Sequence, residues 1–381
     1  MTTTAPDLRT LAVELQSYGV RTTDPGNTRR GGAGPSDAGF LWINDTPLTV
    51  PVHAEFAASS PYELVMAGNG RIGTLLREGV EVGQVRMQPR PKIYDLETAD
   101  GIPYWKIALM HLDSMASTVF QHCVYWKTSE QCHFCAIGTT LMDGRTIPAK
   151  TPAQLAEVAA AAKRLDGAKD VTLTTGTPNR HDRGAEYMAR CAEAIRDASD
   201  LPVQVQIEPP DDFSWFAHLK SSGVEALGLH MESPDPEVLA RVAPGKAAQG
   251  IEYYHRAWEA AVEVFGPGQV STYFILGLGE SPEAVETGVR AAIDRGVYPF
   301  VVPLRPTPGS ILAHERPPSP EYVREVYELV APMLAEANML SQNARAGCVR
   351  CQACSALSTF EQAFGGGRDG EPAGTPKSYP S

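Results

Sequence analysis

The sequence predicts an α/β fold built on a parallel sheet. From about residue 151 helical and strand-like segments alternate regularly, and the apolar run at residues 117–121 brings the number of strands to six. This alternation is typical of βαβ units. Six units are fewer than the eight of a closed barrel, so a partial barrel and a doubly wound sheet both satisfy the count.

Each of the six predicted strands is a short apolar run followed by polar, Gly or Cys residues. The runs are STVFQ, DVTLTT, LPVQVQIE, EALGLHME, QVSTYFILGLG and YPFVVPL. Both architectures bind ligands at the carboxyl ends of the strands. This rule directs attention to the cysteine loop after the first run, Thr175 and Gly176, Glu208, Glu232, residues 277–280, and Arg305.

The helices between the strands carry recognisable start signals. In TPAQLAEVAAAAKRL, Thr151 is a candidate N-cap and Pro152 occupies the first helical position. Cys191 lies in EYMARCAEAIRDA, where the apolar residues recur at helical spacing, so we expect a small buried hydrophobe there. SPEYVREVYELVAPMLAEAN predicts a long closing helix.

The composition shifts along the chain and divides it into four regions. Residues 1–105 predict an α+β extension that caps the barrel, 106–310 the core, 311–364 a C-terminal helix with cysteines, and 365–381 a disordered Gly/Pro-rich tail. The extension contains a loop from Arg29 with Gly31, Gly32 and Gly34. That loop is either a flexible connection or a cradle for a phosphate or carboxylate.

Charge and hydropathy exclude several classes of function. The 381 residues carry a net charge of -12, which disfavours a protein that grips nucleic acid. The N-terminus lacks a basic start followed by an apolar run, and no apolar stretch reaches membrane-spanning length. We therefore expect a cytoplasmic protein without membrane or nucleic-acid partners.

Six of the seven cysteines form two tight groups. Cys123, Cys132 and Cys135 follow the first predicted strand, with eight and then two residues between them. In a reducing compartment such spacing more often holds metal than forms disulfides. Three protein ligands leave one coordination position open, which suits an iron–sulfur cluster with a free iron, whereas a structural zinc site would need completion by a residue such as His133.

The second group follows the closing helix. Cys348, Cys351 and Cys354 are each separated by two residues, as in bacterial ferredoxin-type cluster sites. The spacing favours an auxiliary iron–sulfur cluster over a zinc clip that staples the tail region to the barrel. Its fourth ligand is open between Cys191, a histidine and a bound small molecule.

These residues resemble the radical S-adenosylmethionine (SAM) superfamily. The resemblance lies in the cysteine loop with Phe134 before its last cysteine, LTTGT at the second strand end, and ILGLGE at the fifth. It covers about residues 110–310 and implies a partial (β/α)6 TIM-type barrel. More narrowly, the chain looks like the biotin synthase-like branch, and LHMESPDPEVLARVAPGK looks like members encoded with Nit1-type nitrilase clusters. The superfamily usually spaces its cysteines as CxxxCxxC, which this chain does not match.

The resemblance implies a [4Fe-4S] cluster on Cys123, Cys132 and Cys135, with SAM on the open iron. Reductive cleavage of SAM would give methionine and a 5'-deoxyadenosyl radical that abstracts a hydrogen atom from the substrate. The positions that match the cofactor-binding motifs are Phe134 beside the adenine, Thr174, Thr175 and Gly176 at the methionine amino group, and Leu276, Gly277 and Gly279 on the adenine side.

Four further residues at strand ends are candidates for cofactor or substrate contacts. Glu208 is placed to accept from ribose hydroxyls or pair with the cofactor ammonium, and His230 and Glu232 to face the substrate. Arg305 could clamp a carboxylate bidentately. The alternatives are solvated loop charges, helix N-terminal charges and surface salt bridges.

The sequence thus predicts a radical SAM enzyme that acts on a small, carboxylate-bearing metabolite by rearrangement, bond cleavage or sulfur insertion. A flavodoxin- or ferredoxin-type reductant would supply the electron. The alternative is a zinc-stabilised, non-catalytic binding protein on a degenerate barrel.

Overall fold

The computed structural model describes residues 6–22, 38–67 and 71–365. These residues form two β-sheets, one in the N-terminal region and one in the core. The predicted Gly-rich loop of Arg29, Gly31, Gly32 and Gly34 lies outside the described residues, as does the tail from residue 366 onward.

The N-terminal sheet has six strands in the order β1-β4-β5-β6-β2-β3. All its pairs are antiparallel except β1 with β4. The bounds are β1 Arg21–Thr22, β2 Ala38–Ile43, β3 Thr46–Pro51, β4 Tyr62–Met66, β5 Ile72–Arg77 and β6 Val80–Met87.

The core sheet has seven strands whose spatial order is their order in the chain, from β7 to β13. Every pair is parallel except the β7–β8 hairpin. The bounds are β7 Leu109–His111, β8 Ser114–Thr118, β9 Asp170–Thr174, β10 Val203–Gln206, β11 Val224–Gly228, β12 Val270–Leu276 and β13 Val297–Pro303.

This strand order decides between the two predicted architectures. A doubly wound sheet reverses its strand order at a switch point, whereas a barrel adds each strand beside the one before it. Among the described strands β13 pairs only with β12, so the sheet curls without closing. The prediction of a partial barrel is confirmed.

Thirteen helices lie in the described part of the chain, and most of the longer ones connect the strands of the core sheet. Their bounds are α1 Leu8–Tyr18, α2 Tyr104–Ile107, α3 Ile137–Met142, α4 Pro152–Asp166, α5 Ala185–Ser199, α6 Ser214–Ser221, α7 Pro236–Val242, α8 Pro244–Ala247, α9 Ile251–Phe265, α10 Pro282–Asp294, α11 Pro320–Glu336, α12 Gly347–Cys351 and α13 Leu357–Glu361.

The helix starts follow the predicted capping chemistry. Thr151 caps α4 by accepting from the backbone N–H of Gln154, whose side chain accepts from the Thr151 N–H in return, and Pro152 opens the helix. Ser319 caps the closing helix α11 in the same position relative to Pro320. Cys191 is fully buried on α5, as predicted.

The first core strand differs from its prediction. The apolar run at 117–121 predicts the strand there, but β8 begins three residues earlier and ends at Thr118, opposite the end of β9. The preceding hairpin partner β7 is only three residues long, too short for a period-2 pattern to reveal it. After Thr118 the chain bends at Val119, and Phe120 forms an isolated antiparallel bridge with Ala149.

The N-terminal sheet packs on the segment that follows α11. Thr49 on β3 donates from its N–H to the carbonyl of Ala353 (2.8 Å), and Phe40 and Trp42 on β2 pack against Cys351. On the other side, Glu55 reaches His314 in the loop after β13 (3.7 Å). That this region caps the barrel mouth stays a prediction.

None of the helices in the described ranges is both long enough and apolar enough to cross a membrane.

Candidate functional site

The first cysteine group sits on the loop between β8 and α3. Cys123, Cys132 and Cys135 all face one cavity of about 430 Å³ in the half-barrel. The loop begins where β8 ends, so the thiols lie at the carboxyl ends of the parallel strands. This is the location that the strand-end rule predicts for a ligand.

The long spacing between Cys123 and Cys132 is accommodated by an anchor, Tyr125. Its ring is buried, and its hydroxyl donates to Glu208 Oε2 (3.3 Å) and accepts from Arg183 Nη1 (2.8 Å). Burial raises the pKa of Tyr125 to about 12, so the phenol keeps its proton at neutral pH. The eight intervening residues are therefore tied into the barrel.

Backbone contacts hold the rest of the loop. The N–H of His133 donates to the carbonyl of Val242 (2.8 Å), and its own carbonyl accepts from the N–H of Leu312 (3.1 Å). Glu130 accepts through its carbonyl from the N–H of Gly245 (3.2 Å). The loop is thus held by the segment after β11 and by the loop after β13.

The carboxylate of Glu208 is buried and has hydrogen-bond partners within the protein, so it is not a free carboxylate at the barrel mouth. It lines the cavity and is 8% exposed, but it accepts from Tyr125, from Thr177 Oγ1 (2.5 Å) and from Gln249 Nε2 (2.9 Å). Arg183 lies 3.8 Å away. Glu208 therefore ties the cysteine loop to the ends of β9 and β10, and its role toward a cofactor stays a prediction.

Glu232 forms a buried ion pair with Lys246, a residue that the sequence reasoning missed. Lys246 Nζ donates to Glu232 Oε1 (2.6 Å) and to the carbonyl of His230 (2.8 Å), and all three residues line the cavity. Burial, with Lys246 nearby, lowers the pKa of His230 to about 3. The sequence offers one weak indication of Lys246, which is its position directly after a Pro and a Gly at the start of a short helix.

Burial acts on two thiols of the first group, Cys132 and Cys135. Burial raises the pKa of Cys135 to about 11 and the pKa of Cys132 well above its usual value, although Lys246 acts in the opposite direction on both. Metal binding must therefore displace protons from these thiols.

The predicted cofactor residues divide into two sets. Phe134, Thr174, Thr175, Gly176 and Arg305 line the cavity with the cysteines. Leu276, Gly277 and Gly279 do not line it: Leu276 is buried in the core, and the loop that follows is folded around Glu280, whose carboxylate accepts from the N–H groups of Gly277 (2.7 Å) and Leu278 (2.8 Å).

Gly176 is also required by packing. A Cβ at this position would collide with the backbone carbonyl of His122, the residue directly before Cys123. The glycine lets the end of β9 approach the start of the cysteine loop.

The second cysteine group faces the same cavity. Cys348, Cys351 and Cys354 are more than 200 residues from the first group, yet all six side chains line one space. Cys348 Sγ accepts from Gln206 Nε2 (3.3 Å), and Cys351 Sγ lies 3.7 Å from the carbonyl of His111. Burial raises the pKa of Cys348 to about 12 and also raises the pKa of Cys351 and Cys354.

A charged clamp holds the second group in place. Arg350 donates through Nε to Asp170 Oδ2 (2.6 Å) and through Nη2 to Asp113 Oδ1 (2.8 Å), and Asp170 also accepts from the N–H of Gly347 (2.5 Å). Asp113 precedes β8 and Asp170 opens β9, so the clamp attaches α12 to the amino-terminal ends of these strands.

Comparison with known protein families finds a match for the segment that contains Cys132 and Cys135. A protein-family model described as the radical SAM superfamily matches residues 129–291. The chain carries a radical SAM domain. The match contains Cys132 and Cys135, and Cys123 lies just before it. The resemblance to this superfamily is confirmed, while the narrower resemblance to the biotin synthase-like branch and the Nit1-type clusters stays a prediction.

One curated relative of this chain is bacteriochlorophyllide c C-7(1)-hydroxylase from Chlorobaculum limnaeum. It is 33% identical over 136 residues, which cover 35% of this chain and 34% of that protein. The alignment therefore spans about a third of the curated relative.

Two solved structures share part of their fold with this chain at low sequence identity. Methylornithine synthase (PylB) has a TM-score of 0.45 at 16% identity, covering 63% of this chain and 72% of its own. A radical SAM methyltransferase from Sphaerobacter thermophilus has a TM-score of 0.47 at 17% identity, covering 72% and 75%.

The residues of the candidate site fit the [4Fe-4S] cluster and SAM that the superfamily implies. Three thiols face one cavity, and thiolates are the ligands of such clusters. A single zinc ion bound by three thiolates would bring their sulfur atoms to about 3.8 Å from one another. Within the described residues no three Cys, His, Asp or Glu side chains are arranged to hold one metal ion, so the zinc interpretation gains no support.

Proposed function

We propose that this radical SAM enzyme abstracts a hydrogen atom from a small, carboxylate-bearing metabolite, leading to rearrangement, bond cleavage or sulfur insertion. The observation that carries the proposal is the shared cavity: the first cysteine group, the predicted SAM residues and the second cysteine group all line it. The named activity of the hydroxylase relative supports an enzyme over a non-catalytic binding protein.

When bound, the cluster and SAM supply the electron transfer and the 5'-deoxyadenosyl radical that removes the hydrogen atom. The chain's own residues have other tasks. Cys123, Cys132 and Cys135 would hold the cluster, and Phe134 with residues 174–176 would orient SAM. The half-barrel walls would keep solvent away from the target C–H bond.

Arg305 supports the expectation of a substrate carboxylate. Its Nη2 donates to the carbonyl of Thr49 (2.8 Å), while its buried Nη1 has no hydrogen-bond partner within the described residues. Arg305 lines the cavity and carries a permanent positive charge. A carboxylate reaching Nη1 would satisfy an otherwise costly buried donor.

The second cysteine group would hold an auxiliary iron–sulfur cluster. Its position in the same cavity allows three roles, which are substrate binding, electron relay and sulfur donation. Sulfur donation predicts loss of this cluster during turnover, whereas the other two roles leave it intact.

Electrons for the reaction would come from a flavodoxin- or ferredoxin-type reductant, and the two cysteine groups suit the reducing conditions of the cytoplasm.

Anaerobic reconstitution with iron and sulfide tests the proposal. We expect about eight irons per chain, the sum of two [4Fe-4S] clusters, and 5'-deoxyadenosine when reductant and SAM are added. Cys135→Ala should abolish 5'-deoxyadenosine, while the matched Cys191→Ala, in the core of α5, should leave it nearly unchanged. Stoichiometric zinc without 5'-deoxyadenosine would instead support the binding-protein alternative.

The substrate class is tested with deuterated candidate metabolites, of which carboxylic acids should transfer label into 5'-deoxyadenosine. Arg305→Gln should weaken that transfer without reducing iron content. If Arg305→Gln transferred as much label as the parent protein, Arg305 would not bind a substrate carboxylate.

A further inference from the structure

The cavity that both cysteine groups line is also lined by the imidazole of His230, which the sequence predicts to face the substrate. Both ring nitrogens are buried, and neither has a hydrogen-bond partner among the described residues. The ring stacks on Tyr273, with 4.1 Å between the ring centroids. A buried imidazole without partners is costly unless a ligand occupies one of its nitrogens.

His230 lies beside Gly228 and near Gln206, which contacts the second cysteine group. Its Nε2 lies 2.9 Å from the point where a Cβ on Gly228 would stand, and Gln206 Cγ lies 2.9 Å from the same point. Gln206 in turn donates to Cys348 Sγ. Gly228 thus leaves space in which the imidazole and the Cys348 thiol face one region of the cavity.

Tyr273 makes the same connection from the neighbouring strand. Its ring stacks on His230. Burial, with Cys348 close to its hydroxyl, raises the pKa of Tyr273. Gln206 on β10 and Tyr273 on β12 therefore both lie near His230 and near Cys348.

The other candidates for a fourth ligand are less well placed. Cys191 is buried on α5 and does not line the cavity. His111 also lines the cavity, but its ring packs in a tilted contact against Phe40 of the N-terminal sheet, with 5.0 Å between the ring centroids, and it meets Cys351 through its backbone carbonyl.

We propose that His230 is the fourth ligand of the auxiliary cluster held by Cys348, Cys351 and Cys354. This inference rests on the proposed second cluster. Imidazole can replace thiolate at an iron–sulfur centre, and the second shell around such a ligand fixes its orientation. A cluster with four protein ligands has no open iron, which argues against direct substrate binding and leaves electron relay or sulfur donation.

The experiment uses the full chain labelled with [15N]histidine and carrying Cys123→Ala, Cys132→Ala and Cys135→Ala, so that only the second site can bind a cluster. After anaerobic reconstitution we expect about four irons per chain. Pulsed electron paramagnetic resonance of the reduced cluster should then show a strongly coupled 15N nucleus. The same experiment on unlabelled protein should show a 14N coupling in its place.

His230→Ala should remove this coupling, and the matched His111→Ala should keep it. Failure to bind iron in the second site would overturn the auxiliary cluster itself. Iron uptake without a histidine coupling, or a coupling lost only in His111→Ala, would overturn the assignment to His230 while leaving the cluster standing. Should the triple variant fail to fold, the same label in the unsubstituted chain gives the answer, because SAM contributes no 15N.

Discussion

Replacing Arg350 with Met should destabilise the protein through one buried carboxylate. The side chain of Asp170 is 0% exposed and that of Arg350 is 18% exposed. The substitution removes the guanidinium 2.6 Å from Asp170 Oδ2 and leaves the N–H of Gly347 as its remaining donor. Removing one partner of a buried ion pair costs about 3–5 kcal/mol, because the other charge stays desolvated.

The size of the expected effect follows from chain length. At about 2.1 cal/mol/K per residue, 381 residues give a melting entropy of about 0.8 kcal/mol/K. A loss of about 3–5 kcal/mol therefore lowers Tm by about 4–6 °C. Anaerobic circular-dichroism melting of the reconstituted protein measures this shift.

Arg290→Met is the matched control. Arg290 pairs with Glu286 one helical turn earlier, and its side chain is 57% exposed. Such a pair is worth about 0.3–0.5 kcal/mol, so Tm should fall by less than about 1 °C. The double variant Asp170→Asn with Arg350→Met should recover part of the lost stability. Equal melting of Arg350→Met and Arg290→Met would refute the reasoning.

Three further predictions concern the cysteine loop and the C-terminal segment. Gly176→Ala should lower the iron bound by the first cysteine group, because the new methyl group collides with the His122 carbonyl. The control Gly83→Ala should bind iron like the parent, because its methyl group meets no atom within 4 Å. Equal iron contents in the two variants would contradict this prediction. Tyr125→Phe removes the hydroxyl that accepts from Arg183 Nη1 and donates to Glu208, which should cost about 1–3 kcal/mol, or about 1–4 °C in Tm. An unchanged Tm would contradict the anchor role of Tyr125. Burial raises the pKa of Glu361 above 4.5, so its contribution to stability is full below that pH and is lost as pH rises through the folded pKa. Glu361→Gln should therefore gain Tm relative to the parent between pH 4 and pH 8, and a pH-independent difference would show that burial does not perturb this carboxyl.

The predicted βα units follow from local patterns and largely agree with the structure. Apolar periodicity and caps such as Thr151 depend only on residues a few positions apart, so the sequence reveals them directly. The β7 hairpin strand escaped prediction because its three residues carry no periodic signal. The choice of a partial barrel over a doubly wound sheet required the spatial strand order, which depends on contacts between distant segments.

The first cysteine group was also readable from the sequence, since the cysteines follow one strand within a single loop. The sequence did not predict that Tyr125 anchors this loop. Glu208 was expected at the mouth as a possible cofactor contact, whereas the fold commits its carboxylate to Tyr125, Thr177 and Gln249. Lys246 was missed because only its burial beside Glu232 distinguishes it from a surface lysine.

By itself, the sequence determined a parallel α/β core, two cysteine groups and a resemblance to the radical SAM superfamily, because each depends on residue type and short spacing. Only the tertiary structure decided that both groups face one cavity. That proximity follows from the return of the chain after α11 and from the Arg350 clamp on Asp113 and Asp170, contacts between residues up to 237 positions apart. No local pattern encodes a separation of that length, since it is fixed by burial and ion pairing in the folded chain.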